Sequence, residues 1–314
     1  MRYLLLLLLF TTSCVHKSFV SVPLGSGKTL VFAEFQKSKS PWPYGFRGEV
    51  AAGEPFALSL TEVPYSLWFT VRLWGEKEAG YQFHSPGAEG SSGRAGAAPE
   101  YQAPMSKVPG RMSSQQPVSQ VSWGDVVVWC NALSEYLNQY TSGEQRQPVY
   151  RVAGGEEILR SAERANRGEL YRDPAANGFR LPAEQEWESA GRWLNGRRWL
   201  AGDWVAGSTG TYSSRRASNQ VAWYVENSGG KSQPVAGRRP TVMGLYDMGG
   251  NLAEWVEDPF SGGAAPLPFR TIKGGAYLSP TRELQVAGRF PALPQQVHQS
   301  IGFRLAFGVG NESG

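Results

Sequence analysis

Cysteine is nearly missing from this chain. Its 314 residues include two, Cys14 and Cys130. That allows one disulfide at most, and none once Cys14 is modified as argued below. Charge is scarce as well, with 18% charged residues and a formal net charge of +4. Basic residues are interspersed with acidic ones apart from short pairs such as Arg197-Arg198, Arg215-Arg216 and Arg238-Arg239. A nucleic-acid binder gathers such residues into a stripe or tail, so nucleic acid is not an expected partner. Long apolar runs are absent too. The run at the N-terminus, Leu4 to Phe10, is far short of the roughly 20 residues that a spanning helix needs. Glycine and proline are plentiful instead, 38 and 21 residues, which excludes a helical bundle. Hydrophobic residues make up 41% and include 11 tryptophans, enough for a substantial core in one large or two ordinary domains.

The N-terminus reads MRYLLLLLLFTTSC. Arg2 supplies a positive start, Leu4 to Phe10 a short apolar core, and Thr11-Thr12-Ser13 a small-residue stretch before Cys14. This is the pattern of a signal peptide rather than an anchor helix. Small residues ending in cysteine resemble the lipobox of bacterial lipoproteins, with Thr11 where leucine is usual. The resemblance implies that Cys14 is lipidated and becomes the first mature residue. Several acyl chains on one cysteine give stable anchoring. The expected location is the cell envelope, on the outer side of the cytoplasmic membrane or on the outer membrane. The expected layout is a signal peptide at 1–13, a tether at 14–25 and a folded domain at 26–310.

Within the domain, LGSGKT at 24–29 lacks the glycine that a phosphate loop needs, because that position is Val22. It reads as a strand-to-strand turn. A first helix starts at Pro64, repeats Leu67, Val71 and Trp74 at helical spacing, and stops near Gly80. Residues 85–116, rich in Gly, Ser, Ala and Pro, read as a long irregular loop. Ser122 and Asp125 open a second helix with a capping box. Its buried stripe is Val126, Trp129, Cys130, Leu133 and Leu137, which makes Cys130 a packed, inert thiol. A third helix follows Pro182 with Trp187 and Ala190 facing inward. From Trp199 onward the pattern is short strands and loops. A single α+β domain is expected.

Four stretches then fall into an ordered set: PVSQVSWGDVVVWCNALSE, NGFRLPAEQEWESAGR, NSGGKSQPVAGRRPTVMGLYDMGGNLAEWVED, and IKGGAYL with IGFRLAF. Together they resemble the sulfatase-modifying-factor family of formylglycine-generating-enzyme-like domains, over roughly residues 50–308. The resemblance implies a C-type-lectin-like fold, loop-rich, with two main helices and small antiparallel sheets. It also implies a calcium site at the backbone carbonyls of Asp247, Gly250 and Leu252 and the carboxylate of Glu254. Asn251 and Glu254 are equally suited to satisfying buried backbone amides. A second family calcium site would fall near Asn219 to Gly229, with ligands that do not align. Trp255 and Arg304 read as core packing and a buried charge-assisted hydrogen bond.

In the family's oxidases, two cysteines five residues apart follow the glycine pair and hold copper(I). Here Gly274-Gly275 is kept, but the two positions are Ser279 and Leu284. A hydroxyl is a poor copper(I) ligand and leucine is none. No copper is expected, and oxidase activity is expected to be lost. Ser279 as a nucleophile would need a base with an orienting partner. The histidines of residues 26–310 are His84 and His298. His298, in the PALPQQVHQSIGFR loop, is the one the fold could bring near Ser279, and no sequence pattern pairs them. Two histidines also cannot build the three-histidine iron site of other relatives.

The expected role is therefore a binding or interaction module for an envelope protein, a peptide or a glycan, with loops 85–116, 204–230 and 276–300 as its surface. Trp204, Tyr212, Trp223, Tyr224, Tyr277 and His298 are the candidate contacts. The stretch 276–300 contains no Asn, unlike the hypervariable segment of the family's diversified receptors. The alternative is a copper-dependent formylglycine-generating oxidase or another enzyme of the family. A direct consequence concerns the N-terminus. Replacing Cys14 by Ser moves the protein from the membrane fraction to the soluble fraction on cell fractionation; retention in the membrane would contradict lipidation.

Overall fold

This computed structural model describes residues 18–24, 28–36, 42–44, 48–50, 54–90, 109, 115–143, 145–195, 198–261 and 268–309. The expected signal segment, Cys14 and most of the expected 85–116 loop lie outside the described residues. Strands β1 (Phe19–Pro23), β2 (Thr29–Phe35), β3 (Trp42–Tyr44), β4 (Gly48–Val50) and β5 (Phe56–Ser59) precede helix α1 (Tyr65–Glu78). Strands β6 (Ala88–Glu89) and β7 (Val118–Ser119) lead to α2 (Trp123–Asn138). Next come β8 (Tyr150–Val152), α3 (Ala162–Asn166), β9 (Leu170–Arg172), α4 (Glu184–Arg192) and α5 (Arg215–Val221). The chain closes with β10 (Ala253–Pro259), β11 (Arg270–Lys273), β12 (Arg289–Ala292), β13 (Ile301–Gly302) and β14 (Ala306–Gly308).

Two four-stranded sheets carry the fold, ordered β1-β2-β5-β14 and β12-β11-β10-β13. The first is antiparallel throughout. The second is antiparallel except for one departure from the expected pattern: β10 and β13 pair in parallel. The expected tether is also corrected, because β1 lies within 14–25 and pairs with β2 from Phe19 to Pro23. Hydrogen bonding pulls this segment into the sheet although its composition reads as a linker.

The two long helices form where their sequences dictate. Pro64 caps α1 from one residue outside it, and Gly80, at φ +69°, follows the last turn. The buried face of α1 is turned slightly from the expected one. Tyr65, Trp68, Val71 and Gly75 point inward, while Leu67 and Trp74 are half-buried. In α2 the capping box is complete: Ser122 Oγ accepts from Asp125 N at 3.1 Å, and Asp125 Oδ2 accepts from Ser122 N at 2.9 Å. Asp125 Oδ1 also accepts the backbone N–H of His84 and Ser85, which fastens the chain after α1 to the start of α2. Two short helices, α3 and α5, lack an apolar period; each is started by a serine cap, Ser161 and Ser214.

Three apolar clusters fill the interior. The largest joins α1 and α2, where Trp68 stacks on Trp129 at 5.5 Å and Phe303 meets both edge-on. Cys130 is fully buried there, and burial pushes its thiol well above the ordinary range, as a packed and inert thiol should be. The second packs α4, through Trp187 and Ala190, on Phe56 and Leu58 of the first sheet. The third is small and lies under the site: Val205, Val221, Ala222, Tyr224 and Leu284.

Candidate functional site

The glycine pair stands in the left-handed region, with φ +87° at Gly274 and +66° at Gly275, a conformation that L side chains resist. Space is short as well. A Cβ on Gly274 would lie 3.0 Å from the Met248 carbonyl oxygen, and one on Gly275 would lie 2.8 Å from that of Glu283. The Gly274 carbonyl accepts Gly250 N at 3.0 Å, and Asn251 O accepts Tyr277 N at 2.8 Å. The pair therefore locks the β11 end to the GLYDMGGN loop. Both glycines are explained by backbone geometry, without reference to chemistry.

Beyond the pair the chain makes a tight turn. Ser279 N donates to Ala276 O, and Ser279 Oγ accepts from Ala276 N at 3.1 Å. Its hydroxyl is thus engaged in its own loop. Leu284, after a 3-10 turn at Thr281–Glu283, is fully buried in the third apolar cluster. The second position of the family's thiolate pair is occupied by packed hydrocarbon. A hydroxyl and an isobutyl group cannot hold copper(I), so the residues present do not fit that metal. His298 does not serve Ser279. Its Nδ1 is 2.7 Å from Ser300 Oγ, its carbonyl accepts from Gln120 N, and burial lowers its pKa. His84 is exposed, beside Asp125 at the start of α2.

Beneath this loop lies a buried polar frame. Glu254 Oε2 accepts from Trp187 Nε1 and Arg304 Nε, both at 2.7 Å, and Oε1 accepts from Arg304 Nη2 at 2.8 Å. Arg304 further donates to Ser59 O at 3.0 Å and Tyr246 O at 2.7 Å. Asn251, at φ +55°, is satisfied throughout: Oδ1 accepts Gln233 N at 2.8 Å, and Nδ2 donates to Glu62 Oε2 at 2.7 Å. Glu62 Oε1 accepts Leu252 N. Sequence reasoning missed Glu62, which lies far upstream in the chain.

The expected calcium ligands are Asp247, Gly250, Leu252 and Glu254. The Glu254 carboxylate, the one side-chain ligand of that set, has both oxygens turned to a guanidinium and an indole. Among the described residues no cluster of three or more His, Cys, Asp or Glu side chains is placed to hold a metal. Near Asn219 to Gly229 the oxygens are used internally. Asn219 Oδ1 accepts from Tyr224 Oη at 2.7 Å, and Asn227 Oδ1 accepts from Tyr224 N at 2.9 Å.

The frame holds three carboxylates, Glu62, Asp247 and Glu254, around one guanidinium. Burial first, then the charges of Asp247 and Glu254, push Glu62 well above the ordinary carboxylate range. Burial also pushes Asp247 up to about 6 against the pull of the Ala236 N–H and Arg304. Asp247 Oδ1 is buried without a hydrogen-bond partner.

The expected aromatic surface divides. Tyr224 and Tyr277 are buried, at 0% and 5% exposure, and belong to the packing under the loops. Trp204, Tyr212 and Trp223 are half-buried. The Trp204 carbonyl accepts Val286 N, and Tyr212 packs on the Leu284 cluster. Loop 204–230 and residues 276–287 therefore adjoin, with exposed Val225 and Leu278 between them. His298 stands apart, bonded to Gln120 and Ser300. Arg238, which the sequence marked only as part of a basic pair, stacks on Trp223 at 3.5 Å.

Fold and site together define a formylglycine-generating-enzyme-like domain of C-type-lectin-like architecture with no thiolate pair. The sulfatase-modifying factor enzyme 1-like domain matches residues 32–309, and the chain belongs to that family. It is 28% identical over 205 residues to chaperone protein LppX of Paenibacillus barcinonensis, covering 58% of this chain and 67% of that protein. It is 32% identical over 146 residues to the formylglycine-generating enzyme of Streptomyces coelicolor, covering 41% of this chain and 46% of the enzyme. It is 29% identical to the inactive C-alpha-formylglycine-generating enzyme 2 of Bos taurus, covering 45% of this chain and 48% of that protein. The chain thus spans under half the length of these two relatives. Among solved structures, variable protein 1 of Treponema denticola superposes with a TM-score of 0.65 at 23% identity, covering 93% of this chain and 99% of that one. CarF superposes with a TM-score of 0.65 at 25% identity, covering 94% and 100%.

Two predictions follow from the frame. With both Glu254 oxygens engaged by Arg304 and Trp187, the melting temperature is expected to be the same with added calcium and with a chelator; a calcium-dependent rise would put a cation at this loop. The raised Asp247 carboxyl stabilises the fold while protonated, and that contribution is lost as pH rises from its ordinary 3.8 through about 6. Asn tolerates the positive φ of position 247. Asp247→Asn therefore melts higher than wild type above pH 6 and close to it near pH 4; lower melting across the whole range would contradict this.

Proposed function

We propose that this protein is a lipid-anchored envelope protein whose family domain has lost oxidase chemistry and serves as a binding or interaction module. The observation that carries the reading is Leu284, packed in hydrocarbon where the oxidases keep a thiolate. Ser279, engaged by Ala276 N and without a histidine partner among the described residues, supports it from the other side. Lipid anchoring rests on the N-terminal signal and Cys14. Among the described residues no helix is long and apolar enough to cross a membrane. Relatives named as a chaperone and as an inactive enzyme support a use of this domain without oxidation. The partner in this reading is another envelope protein, a peptide or a glycan, held by the loops around Trp204, Tyr212 and Trp223.

A copper-dependent oxidase is the second reading, favoured by the likeness to the Streptomyces coelicolor enzyme. The two are separated by oxygen uptake with a sulfatase-type cysteine peptide and added copper. No uptake above the protein-free control is expected. Turnover that survives Cys130→Ala would overturn the proposal.

A further inference from the structure

The pairing of β1 with β2 shortens the connection between the domain and Cys14. Ser18 O accepts Glu34 N at 3.0 Å, and Phe19 opens the strand. Phe19 is five residues from Cys14, and five residues reach at most about 18 Å. A folded chain of this length has a radius of gyration of roughly 19 Å. A domain lipidated at Cys14 therefore stays against the bilayer, and the face that carries Phe19 is the one brought to it. That face is apolar with a cation beside it. Phe19 is 45% exposed, and its ring lies against Gly244, where an added Cβ would be 3.5 Å from Phe19 Cε1. Gly244 closes a tight turn, donating its N–H to Thr241 O at 3.0 Å. Val242, within that turn, is 37% exposed. Arg239, also exposed, stands beside the same turn. Its Nη2 donates to Gly207 O at 3.2 Å, and a Cβ on Gly207 would be 3.2 Å from Thr241 Cα. The carboxylate at the start of β1, that of Glu34, accepts from Ser18 Oγ and Gln36 Nε2.

We propose that Phe19, Val242 and Arg239 form the surface on which the domain rests against the phospholipid bilayer that holds its acyl chains. The proposal rests on the lipidation of Cys14 and adds an orientation to it. Phenyl and isopropyl groups lose contact with water on entering the headgroup boundary. A guanidinium beside them meets lipid phosphates. The competing occupant is a protein strand added to β1, which is the outer strand of its sheet. With Ser18 bonded to Glu34, the alternation of the ladder turns the nitrogen of Pro23 to the open edge. Proline has no N–H to offer an added strand there.

The test uses the lipidated full chain in protein-free vesicles of phosphatidylethanolamine and phosphatidylglycerol, with Val242→Cys carrying an environment-sensitive fluorophore. Cys130 is buried and Cys14 acylated, so the label goes to position 242. In vesicles its emission shifts to the blue and its quenching by acrylamide is lost, compared with the Cys14→Ser form in buffer. Adding Phe19→Ser and Arg239→Glu, both at exposed positions, restores quenching while the protein stays on the vesicles and keeps its melting temperature. A label on vesicle-bound protein that is quenched as in buffer would overturn this proposal alone, as would protection unchanged by the two substitutions. Protection in cell membranes but not in vesicles would assign the face to a protein partner and overturn it too. Protein that fails to stay in the membrane fraction at all would remove lipidation, and this proposal with it.

Discussion

The fold depends on one buried ion pair. Arg304 sits between the two sheets with no exposure and meets Glu254 of β10 through two nitrogens. Its remaining donors reach Ser59 at the end of β5 and Tyr246 in the GLYDMGGN loop. Burying a charge is costly unless it is paired and fully hydrogen-bonded, and removing one partner of such a pair costs about 3–5 kcal/mol. The pair therefore fixes how the first sheet, the second sheet and the intervening loop meet. Trp187 brings α4 to the same carboxylate. Asn251 and Glu62 extend the frame to the Trp223 strand-like bridge and the Gln233 turn.

This arrangement separates scaffold from chemistry. The glycine pair is required by left-handed backbone and by carbonyl oxygens within 3.0 Å of any added Cβ. At Gly275 the requirement reaches residue 284, because an added Cβ would also lie 3.0 Å from Leu284 Cδ2. Positions 279 and 284 lie on a turn above the frame, over a small cluster that gains from leucine. Fully burying a leucine side chain rather than leaving it exposed to water is worth roughly 1.5–3 kcal/mol. Nothing in the frame opposes replacement of a thiolate pair, and the loops around it remain free to present other groups.

Much of this was legible in the sequence. The Ser122–Asp125 box and the stripe from Val126 to Leu137 mark α2 because local capping and period agree. The late Arg304 was readable as a buried charge-assisted hydrogen bond, but its partner was not: Glu254 read as a calcium ligand or as a group satisfying backbone amides. What was not readable depends on distant partners. Glu62 contacts Leu252 across most of the chain, and no local pattern announces it. Tyr224 and Tyr277 look like contact aromatics in the sequence, but both are buried in the fold, Tyr224 with its hydroxyl on Asn219 of α5. The tether at 14–25 reads as linker because its strand, β1, is defined by pairing with β2 rather than by its own composition. Glu254 is a related case: its residue type permits a metal, and the placement of Arg304 and Trp187 on both its carboxylate oxygens has no local signal.

The central claim is that the scaffold persists without soft ligands at positions 279 and 284. It is tested most directly by a copper(I) competition titration of the folded protein carrying Cys14→Ser, in which Cys130 is the one remaining thiol. The chelator is expected to keep the copper, with no change in melting temperature. Stoichiometric copper(I) binding by the folded chain would contradict it.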